Sequence, residues 1–246
     1  MRSLLIILGI VAAAASVMAA LVVTAVAAVR AYRRRLGDRA RHRELEALAA
    51  AHGLKFAEGS RWEPPVQCLR LPLFRDGYGR EARHAMLGHV AGQPAMVFDY
   101  ERCTGTGKQP HQQLFHAALL KLPIEAPRLV IRSAQVTDAL SHWLGLEPIE
   151  MESEEFNRRY RVLCEDRKFA FDFCRPVVMA ALLDGDPIPA LEVEGRFLLM
   201  YDGPLAPEQL GDPAMAERFL EIGRRILESI PEYVRHDRPP GSSPAS

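Results

Sequence analysis

The residues from Arg83 to Glu101, RHAMLGHVAGQPAMVFDYE, show the pattern on which the predicted fold rests. Arg83 to Val90 and Ala95 to Glu101 are strand-like runs, and the turn-forming residues Ala91-Gly92-Gln93-Pro94 separate them. This arrangement predicts an antiparallel hairpin. The apolar spacing of Gln112 to Leu122 also suits a helix, but we predict a strand because the hairpin needs a further partner to form a meander.

The rest of the domain adds short elements of both kinds. The predicted strands are Leu129 to Arg132, Asn157 to Glu165, and a hairpin of Leu191 to Glu194 with Arg196 to Tyr201 around Glu194 and Gly195. The predicted helices are Thr137 to Leu144 and Pro176 to Leu183. In Asn157 to Glu165 the alternation predicts Tyr160, Val162 and Cys164 on one face.

The last predicted element is a long amphipathic helix. Asp212 is its predicted N-cap and Pro213 its first helical residue. Apolar residues then repeat at three- and four-residue steps, at Met215, Phe219, Ile222, Ile226 and Ile230. The sequence therefore predicts the α+β class, with one mainly antiparallel sheet and helices on one face. A parallel doubly wound fold is not favoured, because the strands come in hairpins without intervening helices.

The N-terminal segment Leu4 to Val29 contains no charged residue. At about 1.5 Å per residue, a helix of this length exceeds the hydrocarbon core of roughly 30 Å. We therefore predict a single-pass transmembrane helix. The alternative is a cleaved signal peptide, but its apolar core is typically about 7 to 15 residues and follows the stronger positive cluster.

Seven arginines between Arg30 and Arg43 follow this segment, so the positive-inside rule predicts a protein of the cell membrane with its C-terminal domain in the cytoplasm. The predicted contacts with anionic lipid headgroups are Arg30, Arg33, Arg34, Arg35 and Arg39. The predicted organisation is a short segment at 1–3, the transmembrane helix at 4–29, a basic juxtamembrane stalk helix at 30–52, the soluble α+β domain at 53–236 and a disordered tail at 237–246.

Composition and motifs exclude several functional classes. Basic and acidic residues number 31 each, so with the arginine cluster set apart the rest is net acidic, which disfavours nucleic-acid binding. The four cysteines form no Cys-x-x-Cys pair and are interpreted as buried hydrophobes. Gly105-Thr106-Gly107-Lys108 lacks the first glycine and the Ser or Thr of a phosphate loop.

No motif supports catalysis or a cofactor. Asp99, Glu101, Asp166 and Asp172 are acids without a recognisable partner, and Asp166 is interpreted as a helix cap. Histidine spacing is wrong for helical metal ligands, and a site from Cys103, His111 and His116 is the weak alternative. We therefore predict no catalytic residue, no cofactor and no metal.

The run Glu152 to Val162, ESEEFNRRYRV, followed by DRKFA from Asp166 to Ala170, resembles uncharacterised bacterial, mostly actinobacterial, single-pass membrane-anchored proteins. The resemblance also includes Phe98-Asp99-Tyr100 and the last helix. It implies an N-terminal membrane helix with an α+β domain and implies no activity. Within this run, Arg158, Arg159 and Arg161 are a candidate recognition edge for an acidic ligand or a lipid headgroup.

These observations lead to two functional hypotheses. The first is a non-enzymatic interaction domain that is tethered to the cytoplasmic membrane and binds an unknown protein partner. The alternative is an enzyme of unrecognised type at the inner leaflet. A deep pocket with convergent polar groups and perturbed pKa values would favour the enzyme.

Overall fold

The computed structural model of the protein describes residues 39–61, 66–105, 111–135, 146–185 and 190–230. The chain divides into two compact units, Met1–Arg43 and Glu44–Ser246. The predicted transmembrane helix at 4–29, the predicted helix from Thr137 to Leu144 and the predicted tail at 237–246 lie outside the described residues. Within the described ranges, no helix is long and apolar enough to cross a membrane.

One antiparallel sheet organises the second unit. Its strands are β1 (Lys55–Arg61), β2 (Tyr78–Val90), β3 (Gln93–Thr104), β4 (His111–Ser133), β5 (Pro148–Ile149), β6 (Tyr160–Cys164) and β7 (Ala190–Asp202). The order is β1-β2-β3-β4-β6-β5, and β7 also pairs with β4. The hairpin predicted from Arg83 to Glu101 is confirmed as β2 and β3, and the strand at Gln112 to Leu122 is confirmed as part of β4.

The long strand β4 joins the two halves of the sheet. Its first half pairs with β3, its second half pairs with β6, and β7 runs along both halves. The predicted strand Leu129 to Arg132 is therefore the continuation of β4 after an irregularity between Lys121 and Ala126. The predicted hairpin around Glu194 and Gly195 is wrong, because β7 follows the same partner strand on both sides of Gly195 and does not reverse there.

The helices surround this sheet. They are the helical segment 39–51 (α1), α2 (Pro72–Arg75), α3 (Glu154–Arg159), α4 (Arg167–Phe173), α5 (Pro176–Leu183) and α6 (Pro213–Ser229), with 3-10 helices at Val66–Arg70 and Pro207–Gln209. The strand predicted from Asn157 begins only at Tyr160. The Ser153 side chain accepts a hydrogen bond from the Phe156 N–H and starts α3 there instead.

A larger and a smaller apolar core lie on the two faces of the sheet. In the larger core α6 packs across β2, β3 and β4, and Phe219, Ile222, Ile226 and Ile230 are buried as the apolar stripe predicts. Leu45 and Ala49 of α1 are buried in the same core. The smaller core contains Cys68 and residues of α2, so the prediction of helices on one face holds for the long helices and not for α2.

Candidate functional site

A buried carboxylate between two histidines is the most site-like arrangement in the described chain. Asp99 on β3 is only 5% exposed. Its Oδ2 lies 2.5 Å from the His84 Nδ1, and its Oδ1 lies 2.5 Å from the His116 Nδ1. The backbone N–H of Gly211 also donates to Oδ2 at 2.7 Å. We refer to His84, Asp99 and His116 as the histidine–aspartate cluster.

Strand register and a bulge bring the cluster together. Asp99 lies directly opposite His116 in the β3–β4 pairing. The β2–β3 register shifts between Arg83 and Met86, and His84 lies in this bulge with a φ of 49°. A non-glycine residue in the left-handed region is strained, and such strain is concentrated at functional sites. The bulge therefore marks this position for a functional hypothesis.

The cluster favours charged forms although it is buried. Burial by itself would raise the pKa of Asp99, but hydrogen bonds from His116 and His84, with their positive charges, hold that pKa below its ordinary value. Burial would lower the pKa of His116, but its bond to Asp99 and the charges of Asp99, Asp212 and Asp202 raise that pKa overall. The carboxylate is therefore ionised, and His116 keeps its proton to a higher pH than a free histidine does.

The space beside the cluster is small. A cavity of about 10 Å³ lies against the two histidines and is closed by Leu45, Asp212 and Phe219 among others. Such a volume has room for about one water molecule. No group of three or more His, Cys, Asp or Glu side chains in the described part of the chain could hold a metal ion. Cys103 and His111 lie near the far ends of their strands, so they do not join His116 in a site.

A wider groove lies at the other end of the sheet. It has a volume of about 640 Å³, and we call it the edge groove; its walls are Pro148, Ile149, Glu150, Glu154, Asn157, Arg158, Tyr160 and Arg161. These residues come from β5 and the residue after it, from α3 and from β6, because α3 leads directly into the strand that pairs with β5. The groove presents two arginines and two glutamates.

The three arginines of the predicted recognition edge have different roles. Arg158 is exposed, lines the edge groove and has no hydrogen bond or ion pair to any described residue. Arg161 also lines the groove, but its guanidinium donates to the carbonyls of Asn157 and Tyr160. Arg159 donates to the Leu183 carbonyl at 2.8 Å and to the Gly185 carbonyl, in the loop after α5, at 2.6 Å. Arg159 therefore anchors a loop and does not face the groove.

The predicted lipid contacts fall mostly outside the described residues. Arg30, Arg33, Arg34 and Arg35 are in that part of the chain, and Arg39 is exposed at the start of the described helix α1.

A second buried charge, Glu192, lies on the opposite face of the sheet and supports the fold. It is 1% exposed. It accepts hydrogen bonds from the Arg132 Nη2 at 3.1 Å, the Tyr201 hydroxyl at 2.8 Å and the Leu73 N–H at 3.4 Å. Burial raises the pKa of Glu192, against the charge of Arg132 and these hydrogen bonds. Because Leu73 belongs to α2, this network fastens α2 to the sheet.

The sequence contains a partial signal for the histidine–aspartate cluster. Asp99 continues the alternation of Ala95 and Val97, both of which are buried, so its side chain points into the core. A carboxylate in such a position needs partners. The partner histidines come from other strands, and their pairing register is not readable from composition or spacing.

The described part of the chain is thus an α+β domain with one antiparallel sheet, a buried histidine–aspartate cluster and an open groove at one sheet end. No protein-family model and no curated protein matches the chain. Among solved structures, it is similar to the crystal structure of the mycobacterial trehalose monomycolate transport factor A, TtfA. The TM-score is 0.45 at 14% identity, over 78% of this chain and 97% of that chain. This likeness is too distant to carry an argument.

Proposed function

We propose that this chain is an interaction domain tethered to the cytoplasmic membrane, and that it binds a protein partner in the edge groove. The tether is supported by the uncharged run from Leu4 to Val29 and by the arginines that follow it. The binding role is supported by the groove of about 640 Å³, which is the single observation that carries the proposal. The resemblance in the ESEEFNRRYRV run remains part of this proposal.

The charges of the groove indicate the chemistry of the partner. Arg158 offers a guanidinium without an ion pair to any described residue, and its planar fork matches a carboxylate. Glu150 and Glu154 on the same walls repel a uniformly anionic surface. A protein segment that carries an acidic residue next to basic residues satisfies both signs, and an anionic lipid surface satisfies only the arginines. We therefore favour a protein partner.

The histidine–aspartate cluster gives less support to the alternative enzyme hypothesis. Its pKa values are perturbed, as they are in many active sites. However, the cavity of about 10 Å³ beside it accepts a water molecule and not a substrate. The geometry of the described residues therefore favours binding at the edge groove.

The test places a photoreactive amino acid at Pro148, an exposed and uncharged residue of the groove wall, in the full chain and irradiates intact membranes. We expect a protein adduct whose cross-linked segment contains an acidic residue. Arg158→Glu should abolish this adduct, because the new carboxylate repels the acidic residue of the partner that the guanidinium would bind. The matched control is Lys168→Glu, which makes the same charge change at an exposed position of α4 and should leave the adduct intact.

Two outcomes would contradict the proposal. One is a protein adduct that survives Arg158→Glu unchanged, and the other is cross-linking to lipid alone. The tether is tested separately by labelling the partly exposed Cys103 with an impermeant thiol reagent from each side of the membrane. Labelling only from the outside, or a mature chain that lacks its first thirty or so residues, would refute the cytoplasmic tether.

A further inference from the structure

The histidine–aspartate cluster lies where three parts of the domain meet. His84, Asp99 and His116 belong to three adjacent strands. The Gly211 N–H, just before α6, donates directly to Asp99. Leu45 of α1 is 2% exposed and closes the cavity over the same side chains. The cluster therefore adjoins the contacts of α1 and of the start of α6 with the sheet.

The hydrogen bonds define where protons must be. A carboxylate only accepts, so each histidine needs a proton on Nδ1 to donate to Asp99. With both rings neutral, the cluster carries the single negative charge of Asp99. With one ring protonated on both nitrogens, the cluster is neutral, which is the less costly state in a buried site.

The surrounding charges favour that additional proton. Asp212 of α6 and Asp202 of β7 act on His116 through space. Two residues further along β3, Glu101 pairs with Arg83 at 2.7 Å, and Arg83 also pairs with Glu81 at 2.9 Å, so these three groups carry one net negative charge. α1 contributes the apolar Leu45 to the cavity wall. The net surroundings are therefore acidic, and loss of the proton leaves several negative groups close together.

We propose that the histidine–aspartate cluster is a proton-controlled latch that holds α1 and the start of α6 against the sheet. A proton shared by the two histidines and Asp99 keeps the Gly211 and Leu45 contacts closed. Loss of this proton leaves an uncompensated carboxylate beneath them and loosens both contacts. The latch is independent of the edge groove, so it stands or falls separately from the proposed function.

The direction of the pH dependence follows from the two shifts. Because the pKa of His116 is raised on folding, its contribution to the stability of the folded state is complete below the ordinary histidine pKa of about 6.5. This contribution is lost as the pH rises through the raised pKa. Because the pKa of Asp99 is lowered, its contribution is present above about 3.9 and is lost as the pH falls through the lowered value. The latch is therefore tightest in mildly acidic solution and opens as the pH rises through the raised pKa of His116.

The experiment is amide hydrogen exchange of the full chain in detergent micelles at pH 6 and pH 8.5, corrected for the intrinsic pH dependence of exchange. Peptides that cover 44–51 and 209–216 should lose protection by about tenfold between these values, because the proton on His116 is lost over this range. Peptides from the centre of β4 should keep their protection. In the variant His116→Asn the amide still donates to Asp99 and no longer titrates, so this pH response should disappear.

The matched control is His89→Asn, which makes the same change at an exposed position of β2 and should respond like the wild type. If His116→Asn does not fold, His116→Gln serves instead, because its side-chain amide also donates to a carboxylate and does not titrate. The latch is refuted if protection of 44–51 and 209–216 stays within twofold across the pH range. It is also refuted if the cluster variant keeps the full wild-type response, or if β4 loses protection equally.

Discussion

Replacing Glu192 by methionine removes the carboxylate from the buried network beneath α2 and leaves the Arg132 Nη2 with the Tyr201 hydroxyl, at 2.9 Å, as its acceptor. The Arg132 guanidinium loses its ion pair at 3.1 Å, and the Tyr201 hydroxyl and the Leu73 N–H lose their bonds. Removing one partner of a buried ion pair typically costs about 3 to 5 kcal/mol. We expect about 3 kcal/mol, because 20% of the Arg132 side chain is exposed and water can hydrate part of the guanidinium.

The double variant separates the ion pair from the rest of the network. Arg132→Met alone leaves the fully buried Glu192 with two neutral donors, and we also expect a cost of about 3 kcal/mol. With both residues replaced by methionine, neither charge is buried without its partner. The loss in the free energy of unfolding should then fall short of the sum of the single losses by about 2 kcal/mol.

The assay is a urea titration of the full chain in detergent micelles, with labelling of the Cys68 thiol as the signal for unfolding. Cys68 is completely buried in the smaller core, and burial raises its pKa to about 12, so it reacts only when that core opens. Single losses that add within about 0.5 kcal/mol in the double variant would refute the coupling. A loss below about 1 kcal/mol for Glu192→Met would show that the network does not support the fold.

Phe219→Ala should lower the free energy of unfolding by about 3 to 5 kcal/mol in the same titration, because the ring is 1% exposed in the larger core. Asp166→Ala should cost about 1 kcal/mol, because this carboxylate caps α4, and circular dichroism during the titration reports the loss. Gly211→Ala should cost about 1 kcal/mol or more, because its φ of 70° is unfavourable for alanine. The thiol of Cys174, whose pKa burial raises to about 12, should react with maleimide at pH 8 at least tenfold more slowly than the partly exposed Cys103, as peptide mass spectrometry would measure.

Matched controls accompany these variants. Glu217→Ala, exposed on the same helix as Phe219, should change stability by no more than about 0.5 kcal/mol, and so should Asp172→Ala, exposed on α4. If Phe219→Ala loses no more stability than Glu217→Ala does, the assignment of Phe219 to the larger core is contradicted. If Asp166→Ala loses no more stability than Asp172→Ala does, the assignment of Asp166 as the cap of α4 is contradicted. If Gly211→Ala leaves the stability unchanged, the positive φ assigned to this position is contradicted. Equal labelling rates for Cys174 and Cys103 contradict the burial of Cys174.

Local signals account for the elements that sequence analysis predicted correctly. The turn between β2 and β3, the proline at the start of α5 and the Asp212 cap of α6 each depend on residues adjacent in the chain. The apolar stripe of α6 is also local, because helical periodicity alone brings its members to one face. These features hold whatever the rest of the chain does.

Long-range pairing accounts for the errors. Leu191 to Tyr201 was predicted to reverse at Gly195, but β4 offers a partner on both sides of that glycine, and the strand continues. The same partner joins the two predicted strands of β4 into one. Asn157 was predicted to begin a strand, but its side chain bonds the backbone N–H and carbonyl of Met151 and its backbone belongs to α3.

Turns, caps and periodicity operate over a few neighbouring residues, so the α+β class, the antiparallel hairpin and the long amphipathic helix follow from local sequence. The contacts of Asp99 with His116 across one strand pair and with His84 across another depend on how the strands pair in three dimensions. Those contacts depend on register and on a bulge, which arise when distant strands pair. The edge groove also depends on tertiary structure. There Arg158 is exposed on the groove wall, and Arg159 instead donates hydrogen bonds to the end of α5 and the loop after it.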